Sequence, residues 1–194
     1  MSESWDDYAQ CWDSNETVIL YSHKAYESLV NIVDLDGSNV LDFGCGTGLL
    51  TQRISEHANS VVALDPSEKM ISVLTDKHLP NVKVINSELT QYLLTCTEGL
   101  CGSFDVIVAS SALAFVSDYQ ATLNLLKQLL KKGGLLVQWD WLKDNDEPGI
   151  GFSKERIELA LKQAGFSKYS TSVPFSMESP GGSMPVIMGI AEHS

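Results

Sequence analysis

Short apolar runs alternate with amphipathic segments along this chain from residue 40 onward. Each run is almost continuously apolar, which is typical of strands that are buried on both faces. The runs predict strands over 39–43, 60–65, 82–86, 104–110 and 134–140. The segments between them predict helices over 48–58, 67–78, 88–97 and 118–131, with Ser67 and Ser117 as N-caps and Gly133 and Gly134 after the last helix. This alternation predicts an α/β fold with a mostly parallel sheet and helices on both faces.

The end of the chain departs from this alternation. Ser153 is placed to cap a helix that Gly165 would end. The apolar runs 166–175 and 185–192 follow, and the spacer between them is too polar and turn-rich for a crossover helix. We therefore expect these two runs to pair as antiparallel strands around a polar loop, 176–184.

The first 38 residues are helical in pattern, rich in aromatic side chains, and carry no strand signal. Such a segment has to pack over the sheet or over the edge where strands end and open α/β sheets bind ligands. We expect residues 1–25 to act as a lid. The whole chain, 194 residues long, is expected to form a single domain over 1–194, with 1–38 as its N-terminal helical segment.

Composition excludes several classes of function. The chain has 13 basic and 25 acidic residues, a net charge of −12, which disfavours a nucleic-acid partner. It has neither the apolar run of roughly 18–20 residues that would span a membrane nor a secretory leader, so we expect a cytoplasmic protein. The four cysteines show no metal-binding spacing, and no metal is expected. We expect a monomer or a homodimer.

The most informative motif is a glycine turn between two acids. Residues 40–48 read Val-Leu-Asp-Phe-Gly-Cys-Gly-Thr-Gly, and the next strand ends on Asp65. Glycines let backbone N–H groups approach a ligand without interference from Cβ atoms. The acids Asp42 and Asp65 favour hydroxyls and a positive group over phosphates. The pattern therefore indicates a nucleoside that carries a cation.

Four ordered motifs resemble those of the class I S-adenosylmethionine-dependent methyltransferases, which have a Rossmann-like fold. They are Leu-Asp-Phe-Gly-Cys-Gly-Thr-Gly from 41, Ala-Leu-Asp-Pro-Ser-Glu-Lys-Met from 63, Phe-Asp-Val-Ile-Val-Ala-Ser from 104 and Leu-Lys-Lys-Gly-Gly-Leu-Leu-Val from 130. The resemblance covers about residues 38–140 and also suits the closing helix and hairpin. It implies a seven-stranded sheet in the order 3-2-1-4-5-7-6, with the last strand antiparallel. It also implies methyl transfer from S-adenosylmethionine, of the type that modifies small molecules.

The resemblance implies roles for individual residues. Asp42 would bind the methionine ammonium directly or through water, and Asp65 would accept hydrogen bonds from the ribose hydroxyls. Met70 would press on the adenine, although a methionine there is equally typical of a core side chain. Either Glu88 reaches the adenine amine or Leu89 recognises the base. The predicted cofactor contacts are Tyr8, Trp12, Asp42, Gly44, Cys45, Gly46, Gly48, Asp65, Pro66, Met70, Glu88, Leu89 and Ser110.

Three side chains are candidates for the methyl-acceptor side. Methyl transfer from a sulfonium is accelerated mainly by alignment and by exclusion of water, so a base is needed only for a protonated nucleophile. Ser110 ends the fourth strand, and Asp140 stands between two tryptophans that we expect to desolvate it and raise its pKa. His23 would reach the pocket from the lid. A small-molecule acceptor is expected, since the chain has no large insertion for a macromolecule.

Two alternatives remain at this point. An NAD-dependent dehydrogenase shares the glycine turn, but its third glycine would come one position later, and Asp42 would stand close to a pyrophosphate. The second alternative is a domain that binds the cofactor without catalysis, or that serves as a partner subunit. The segment Leu113-Ala114-Phe115 supports it, because this stretch offers no histidine as a general base.

Overall fold

The computed structural model of the protein describes residues 5–144, 149–179 and 181–194. Part of the predicted lid (1–4) and one position of the predicted loop (180) therefore lie outside the described residues. The strands are β1 (Asn39–Phe43), β2 (Ser60–Asp65), β3 (Val82–Asn86), β4 (Phe104–Ser110), β5 (Leu130–Trp141), β6 (Lys168–Ser179) and β7 (Gly182–Glu192). The helices are α1 (Trp5–Trp12), α2 (Glu16–Val30), α3 (Leu49–Ser55), α4 (Glu68–Asp76), α5 (Gln91–Cys96), α6 (Tyr119–Leu129) and α7 (Lys154–Gln163), with a short 3-10 helix at Leu113–Phe115.

The strands form one seven-stranded sheet in the order β3-β2-β1-β4-β5-β7-β6. Strand β2 pairs in parallel with β1 and β3, and β4 pairs in parallel with β5. Strand β7 pairs antiparallel with both β5 and β6. The predicted fold class, the strand order and the antiparallel closing strand are confirmed.

The fold contains two compact units, and each has its own buried apolar core. Unit 1 is residues 1–88, with α1 to α4 and β1 to β3, and unit 2 is residues 89–194, with α5 to α7 and β4 to β7. Fully buried side chains of unit 1 include Leu29, Leu41, Ile54 and Leu74, and those of unit 2 include Ile107, Leu123, Leu126, Trp139 and Phe152. Among the residues that the structure describes, no helix combines the length and apolarity that crossing a bilayer requires.

Helix starts follow the predicted caps at two of three positions. The hydroxyls of Ser67 and Ser153 accept hydrogen bonds from the backbone N–H groups of Met70 and Arg156, at 3.2 and 3.1 Å. The expected cap at Ser117 is wrong, because Asp118 takes the position and accepts from Ala121 N at 2.9 Å. A carboxylate one residue later in extended backbone satisfies the same orphan donor.

The predicted helix 118–131 is too long, because α6 ends at Leu129 and β5 begins at Leu130. The two glycines belong to the strand and not to a helix cap. Leu130 pairs with Phe104, and the register shifts before Val106 pairs with Leu135. A Cβ at Gly134 would lie 2.9 to 3.1 Å from three backbone oxygens, so close packing of the backbone requires glycine there.

The expected loop over 176–184 is also corrected. Met177 pairs with Met184 and Ser179 with Gly182, so most of the polar spacer extends the β6–β7 hairpin. Met177 is buried although its neighbours are polar. Composition predicted a loop because the spacer is polar. A strand with one exposed face also carries polar residues and still pairs with its neighbour.

Candidate functional site

The glycine turn connects β1 to α3 within unit 1. Gly44, Gly46 and Gly48 have φ values of 69°, 54° and 81°, a left-handed backbone that glycine adopts without strain. Gly48 is the N-cap of α3, and a Cβ there would lie 2.3 Å from Leu74 Cδ1. The turn is therefore tight and leaves its backbone accessible beside Gly44 and Gly46, which are only half-buried.

Asp65 joins this turn to the start of α4. Its Oδ2 accepts a hydrogen bond from Gly46 N at 2.9 Å, and its Oδ1 accepts one from Ser67 N at 2.8 Å. Burial raises the pKa of Asp65, while the two backbone N–H groups oppose that rise. A carboxylate offers about four acceptor positions, so two remain for the hydroxyls of a ligand.

Asp42 lies beneath the turn, at the end of β1. It is 1% exposed, and the hydroxyl of Thr51 donates to its Oδ2 at 2.5 Å. Burial raises the pKa of Asp42 to about 7, and the charge of Asp65 adds to this effect. An acid with this pKa ionises readily beside a bound cation.

Two side chains flank Gly46 at the distance of an ordinary contact. A Cβ built on this glycine would lie 3.9 Å from Trp12 Nε1 and 4.0 Å from Met70 Sδ. The predicted cofactor contacts Trp12 and Met70 are therefore both at the turn. Cys45 is buried within it, and burial raises the pKa of its thiol well above the ordinary value.

Helix α1 is attached to the turn and to α4 by two acids that the sequence did not single out. Asp13 Oδ1 accepts from the hydroxyl of Thr47 at 2.5 Å, and Asp13 Oδ2 lies 2.7 Å from Lys77 Nζ. Asp6 Oδ1 accepts from the hydroxyl of Ser67 at 2.5 Å. These pairs connect residues that are 34 and 61 positions apart, so no local pattern signals them.

The other candidates of unit 1 lie at its surface. Tyr8 is 40% exposed and contacts Trp12, with ring centroids 6.3 Å apart. Pro66 and Glu88 are exposed. His23 lies on α2, where its Nε2 is 3.3 Å from Glu27 Oε1 on the same helix.

Unit 2 holds a second polar cluster, at the ends of β4 and β5. Asp140 is fully buried, and Gln138 Nε2 donates to its Oδ2 at 3.0 Å. Burial raises the pKa of Asp140 to about 8, and Gln138, the backbone N–H of Ala114 and the charge of Arg156 oppose this rise. The predicted cause was desolvation by the adjacent tryptophans, but neighbouring residues of a strand point to opposite faces. Asp140 therefore shares a face of β5 with Gln138, and burial is the largest cause of the raised pKa.

Ser110 and Leu89, the other candidates of unit 2, are half-buried. Ser110 ends β4 and pairs in register with Trp139 of β5. Ser111 follows with a left-handed φ of 53° and donates its backbone N–H to Trp139 O at 2.7 Å. Among the described residues, no group of three or more His, Cys, Asp or Glu side chains is arranged to hold a metal ion.

The sequence is similar to methyltransferases over most of its length. Residues 41–136 match the model of a methyltransferase domain family. A methyltransferase of Anoxybacillus flavithermus is 28% identical over 88% of this chain and 82% of its own. One from Schizosaccharomyces pombe is 28% identical over 68% of this chain, and the match spans 48% of that protein. The ubiquinone biosynthesis O-methyltransferase of Rhizobium johnstonii is 32% identical over 53% of this chain and 40% of its own.

Solved structures share the fold across the whole chain. A SAM-dependent methyltransferase from Aquifex aeolicus superposes with a TM-score of 0.74 at 20% identity, covering 100% of both chains. A methyltransferase in complex with the Trm112 activator of Haloferax volcanii gives a TM-score of 0.80 at 14% identity, covering 99% of this chain and 98% of its own. The family model, the relatives and the shared fold confirm the resemblance seen in the sequence and, with it, S-adenosylmethionine as the family's cofactor. Residues 41–136 therefore belong to the methyltransferase domain family, and the chain has the fold of the S-adenosylmethionine-dependent methyltransferases.

Proposed function

We propose that this chain binds S-adenosylmethionine through the glycine turn of unit 1 and transfers its methyl group to a small molecule. The observation that carries the proposal is the position of Asp65, held between Gly46 N and Ser67 N at 2.9 and 2.8 Å. This geometry keeps two acceptor positions of a buried carboxylate available at the end of β2. Vicinal ribose hydroxyls are a pair of donors that match two acceptor positions of one carboxylate.

Asp42 supplies negative charge for the cationic part of the cofactor. Because it is 1% exposed and already bonded to Thr51, it acts through its remaining acceptor positions or through water. Its raised pKa, about 7, means that a bound ammonium or sulfonium favours the ionised form. Binding of the cation and loss of the proton from Asp42 are therefore coupled.

The other cofactor contacts in unit 1 follow from the same turn. The left-handed residues Gly44, Gly46 and Gly48 keep the turn tight, with their backbone N–H groups bonded to Leu64 O, Asp65 Oδ2 and Cys45 O. Cys45 fills the interior of the turn, and Met70 and Trp12 flank it. Pro66, Glu88 and Tyr8 are proposed at its exposed margin. Leu89 and Ser110 of unit 2 remain predictions.

We propose that α1 is the lid, because Asp6 on the helix and Asp13 directly after it bond the two segments that approach the cofactor. Asp13 holds the hydroxyl of Thr47 inside the glycine turn, and Asp6 holds the hydroxyl of Ser67 at the start of α4. Ring contacts between Trp5, Tyr8 and Trp12 stiffen the helix. Closure of such a helix excludes water from the reacting groups.

A small-molecule acceptor is favoured by similarity to the Rhizobium johnstonii enzyme, an O-methyltransferase of ubiquinone biosynthesis. Asp140 and Ser110 are the proposed acceptor-side groups of unit 2. His23 is retained only as a contact from the region of the lid, since Glu27 already pairs with it.

Calorimetric titration with S-adenosylhomocysteine, S-adenosylmethionine and NAD tests the proposal. The two adenosyl ligands are expected to bind and NAD is not. Asp65→Ala should weaken binding of S-adenosylhomocysteine at least tenfold, about 1.4 kcal/mol, through lost ribose hydrogen bonds. Asp36→Ala is the matched control, since Asp36 is an exposed acid of the same unit with its side chain 79% exposed. Equal affinity of the Asp65→Ala variant and the wild type would exclude the assignment.

A cofactor-binding domain that works as a partner subunit is the second candidate. One observation favours it: a structural neighbour was solved in complex with a methyltransferase activator. An enzyme should convert S-adenosylmethionine to S-adenosylhomocysteine when offered a pool of metabolites. A non-catalytic module should bind both ligands and leave the pool unmethylated.

A further inference from the structure

Three polar side chains of unit 2 form a buried chain of hydrogen bonds. Tyr119 on α6 donates its hydroxyl to Gln138 Oε1 at 2.6 Å, and Gln138 Nε2 donates to Asp140 Oδ2 at 3.0 Å. Their exposed fractions are 8%, 1% and 0%. Buried polar chains of this kind fix one arrangement, because each wrong orientation leaves a polar atom unsatisfied.

The donor-to-acceptor direction of these hydrogen bonds is set at Tyr119. Burial holds the pKa of this phenol well above its ordinary value, so the hydroxyl keeps its proton and donates. The Gln138 amide must then direct its oxygen to Tyr119 and its nitrogen to Asp140. Oδ2 of Asp140 is therefore committed as a hydrogen-bond acceptor.

The other oxygen of the Asp140 carboxyl, Oδ1, takes no part in these hydrogen bonds. It is fully buried, and no described residue gives it a hydrogen bond of ordinary geometry. Buried polar atoms without a partner are rare in folded proteins, and each requires an explanation. A ligand group that supplies the missing bond is one such explanation.

The position of Oδ1 favours a ligand. Asp140 is the next-to-last residue of β5, which runs parallel to β4, and open α/β sheets bind ligands where parallel strands end. The short helix Leu113–Phe115 adjoins it, with the backbone N–H of Ala114 near the carboxyl. Within the described part of the chain, the charged and titratable groups that face Asp140 are Tyr119 from α6 and Arg156 from α7. The guanidinium of Arg156 stacks on Phe152 instead, 4.6 Å from the ring centroid.

We propose that Oδ1 of Asp140 binds an N–H or O–H group of the methyl acceptor, and that Tyr119 and Gln138 are positioning residues for it. This rests on the proposed function and narrows the acceptor to amines, phenols and alcohols. Since Asp140 is fully buried, the segment around the short helix Leu113–Phe115 is required to move aside when the acceptor binds.

The fixed direction of these hydrogen bonds predicts that a second substitution restores the activity lost in Asp140→Asn. In Asp140→Asn, Gln138 still requires an oxygen beside its nitrogen, so the Asn amide nitrogen takes the place of Oδ1. It then directs N–H groups at the N–H or O–H of the acceptor. In the double variant Asp140→Asn with Tyr119→Phe, the Gln138 amide is free to turn over, and the Asn oxygen regains the ligand-facing position. A purely structural role for Asp140 predicts no such recovery.

The test compares the wild type with Asp140→Asn, Tyr119→Phe and the double variant. Methyl transfer from radiolabelled S-adenosylmethionine is measured at pH 9, where the Asp140 carboxyl, with its pKa of about 8, is mostly ionised and its Oδ1 accepts. The assay uses a panel of amines, phenols and alcohols, and the affinity for S-adenosylhomocysteine is measured alongside. We expect kcat/KM to fall at least about tenfold in Asp140→Asn, with cofactor affinity unchanged, and to recover severalfold in the double variant. Full activity of Asp140→Asn, absence of recovery in a folded double variant, or methylation of an acceptor without N–H or O–H would overturn the proposal.

A binding measurement separates this inference from the proposed function. In protein labelled with ¹³C at aspartate carboxyls, phenol at pH 9 should shift the Asp140 signal and anisole should not. At that pH the carboxyl, with its pKa of about 8, is mostly ionised. If the wild type fails to bind S-adenosylhomocysteine, the proposed function fails, and this titration still decides the role of Asp140. Identical responses to phenol and anisole would refute it.

Discussion

Replacing Asp140 with asparagine should change how the stability of the protein depends on pH. Burial raises the pKa of this carboxyl from 3.8 to about 8, so the folded state binds its proton more tightly than the unfolded state does. The stability that this proton contributes is complete below about pH 4. It is lost as the pH rises from about 4 to about 8, because the unfolded chain then releases a proton that the folded protein retains. Asparagine resembles the protonated acid and has no proton to lose.

The magnitude follows from the size of the shift. Each unit of pKa difference corresponds to about 1.4 kcal/mol, so the free energy of unfolding should fall by roughly 4 kcal/mol between pH 5 and pH 8 on account of Asp140 alone. Asp42 and Asp65 also have raised pKa values, but they contribute equally to the wild type and the variant. The difference between the two proteins therefore isolates Asp140.

Urea unfolding followed by circular dichroism, at pH 5, 6, 7, 8 and 9, provides the measurement. The free energy of unfolding of Asp140→Asn relative to wild type should rise by about 1.4 kcal/mol per pH unit up to about pH 8 and then level off. Asp36→Asn serves as the control for removing one carboxylate from a chain of net charge −12. A difference between Asp140→Asn and wild type that stays constant within about 1 kcal/mol from pH 5 to 8 would refute the reasoning.

Three further changes probe the turn of unit 1. Gly48→Ala should lower stability by about 1–3 kcal/mol, because φ is 81° and the new Cβ would lie 2.3 Å from Leu74 Cδ1. Thermal unfolding measures this, and the loss caused by Gly48→Ala should be smaller in a Leu74→Ala background, where the clash is absent. Asp13→Ala should release α1 from Thr47 and speed limited proteolysis at the N-terminus severalfold, whereas an unchanged cleavage rate would rule out the lid attachment. The affinity for S-adenosylmethionine should weaken up to about tenfold per pH unit below pH 7 as Asp42 takes up a proton, and Asp42→Asn should abolish this slope in calorimetric titrations.

Local pattern predicted the backbone of the fold well, for identifiable reasons. Four of the first five strands have the predicted bounds, because each is a short apolar run between turn-forming residues. The glycine turn and Asp65 could be identified because each belongs to a contiguous motif, 41–48 and 63–70. The end of α6 could not, since Leu129 and Leu130 are both apolar and the switch to strand depends on pairing with Phe104.

The side-chain contacts around the site were less predictable. Asp13 and Thr47 are 34 positions apart, and only the packing of α1 brings them together. Gln138 and Asp140 share one face of β5, which the period of a strand implies, but the role of Tyr119 depends on where α6 packs. Long-range hydrogen bonds of this kind have no signature in a single sequence.

If S-adenosylmethionine binds at the glycine turn as proposed, the acids around it also bear on how the product is released. Asp6, Asp13, Asp42 and Asp65 all lie at the turn or at the segments bonded to it, and Lys77 pairs with only one of them. Methyl transfer removes the positive charge of the sulfonium, so the attraction that draws the charged cofactor in does not hold the neutral thioether equally well. The loss of one charge thus weakens binding after each turnover and favours exchange of the spent cofactor for a fresh one.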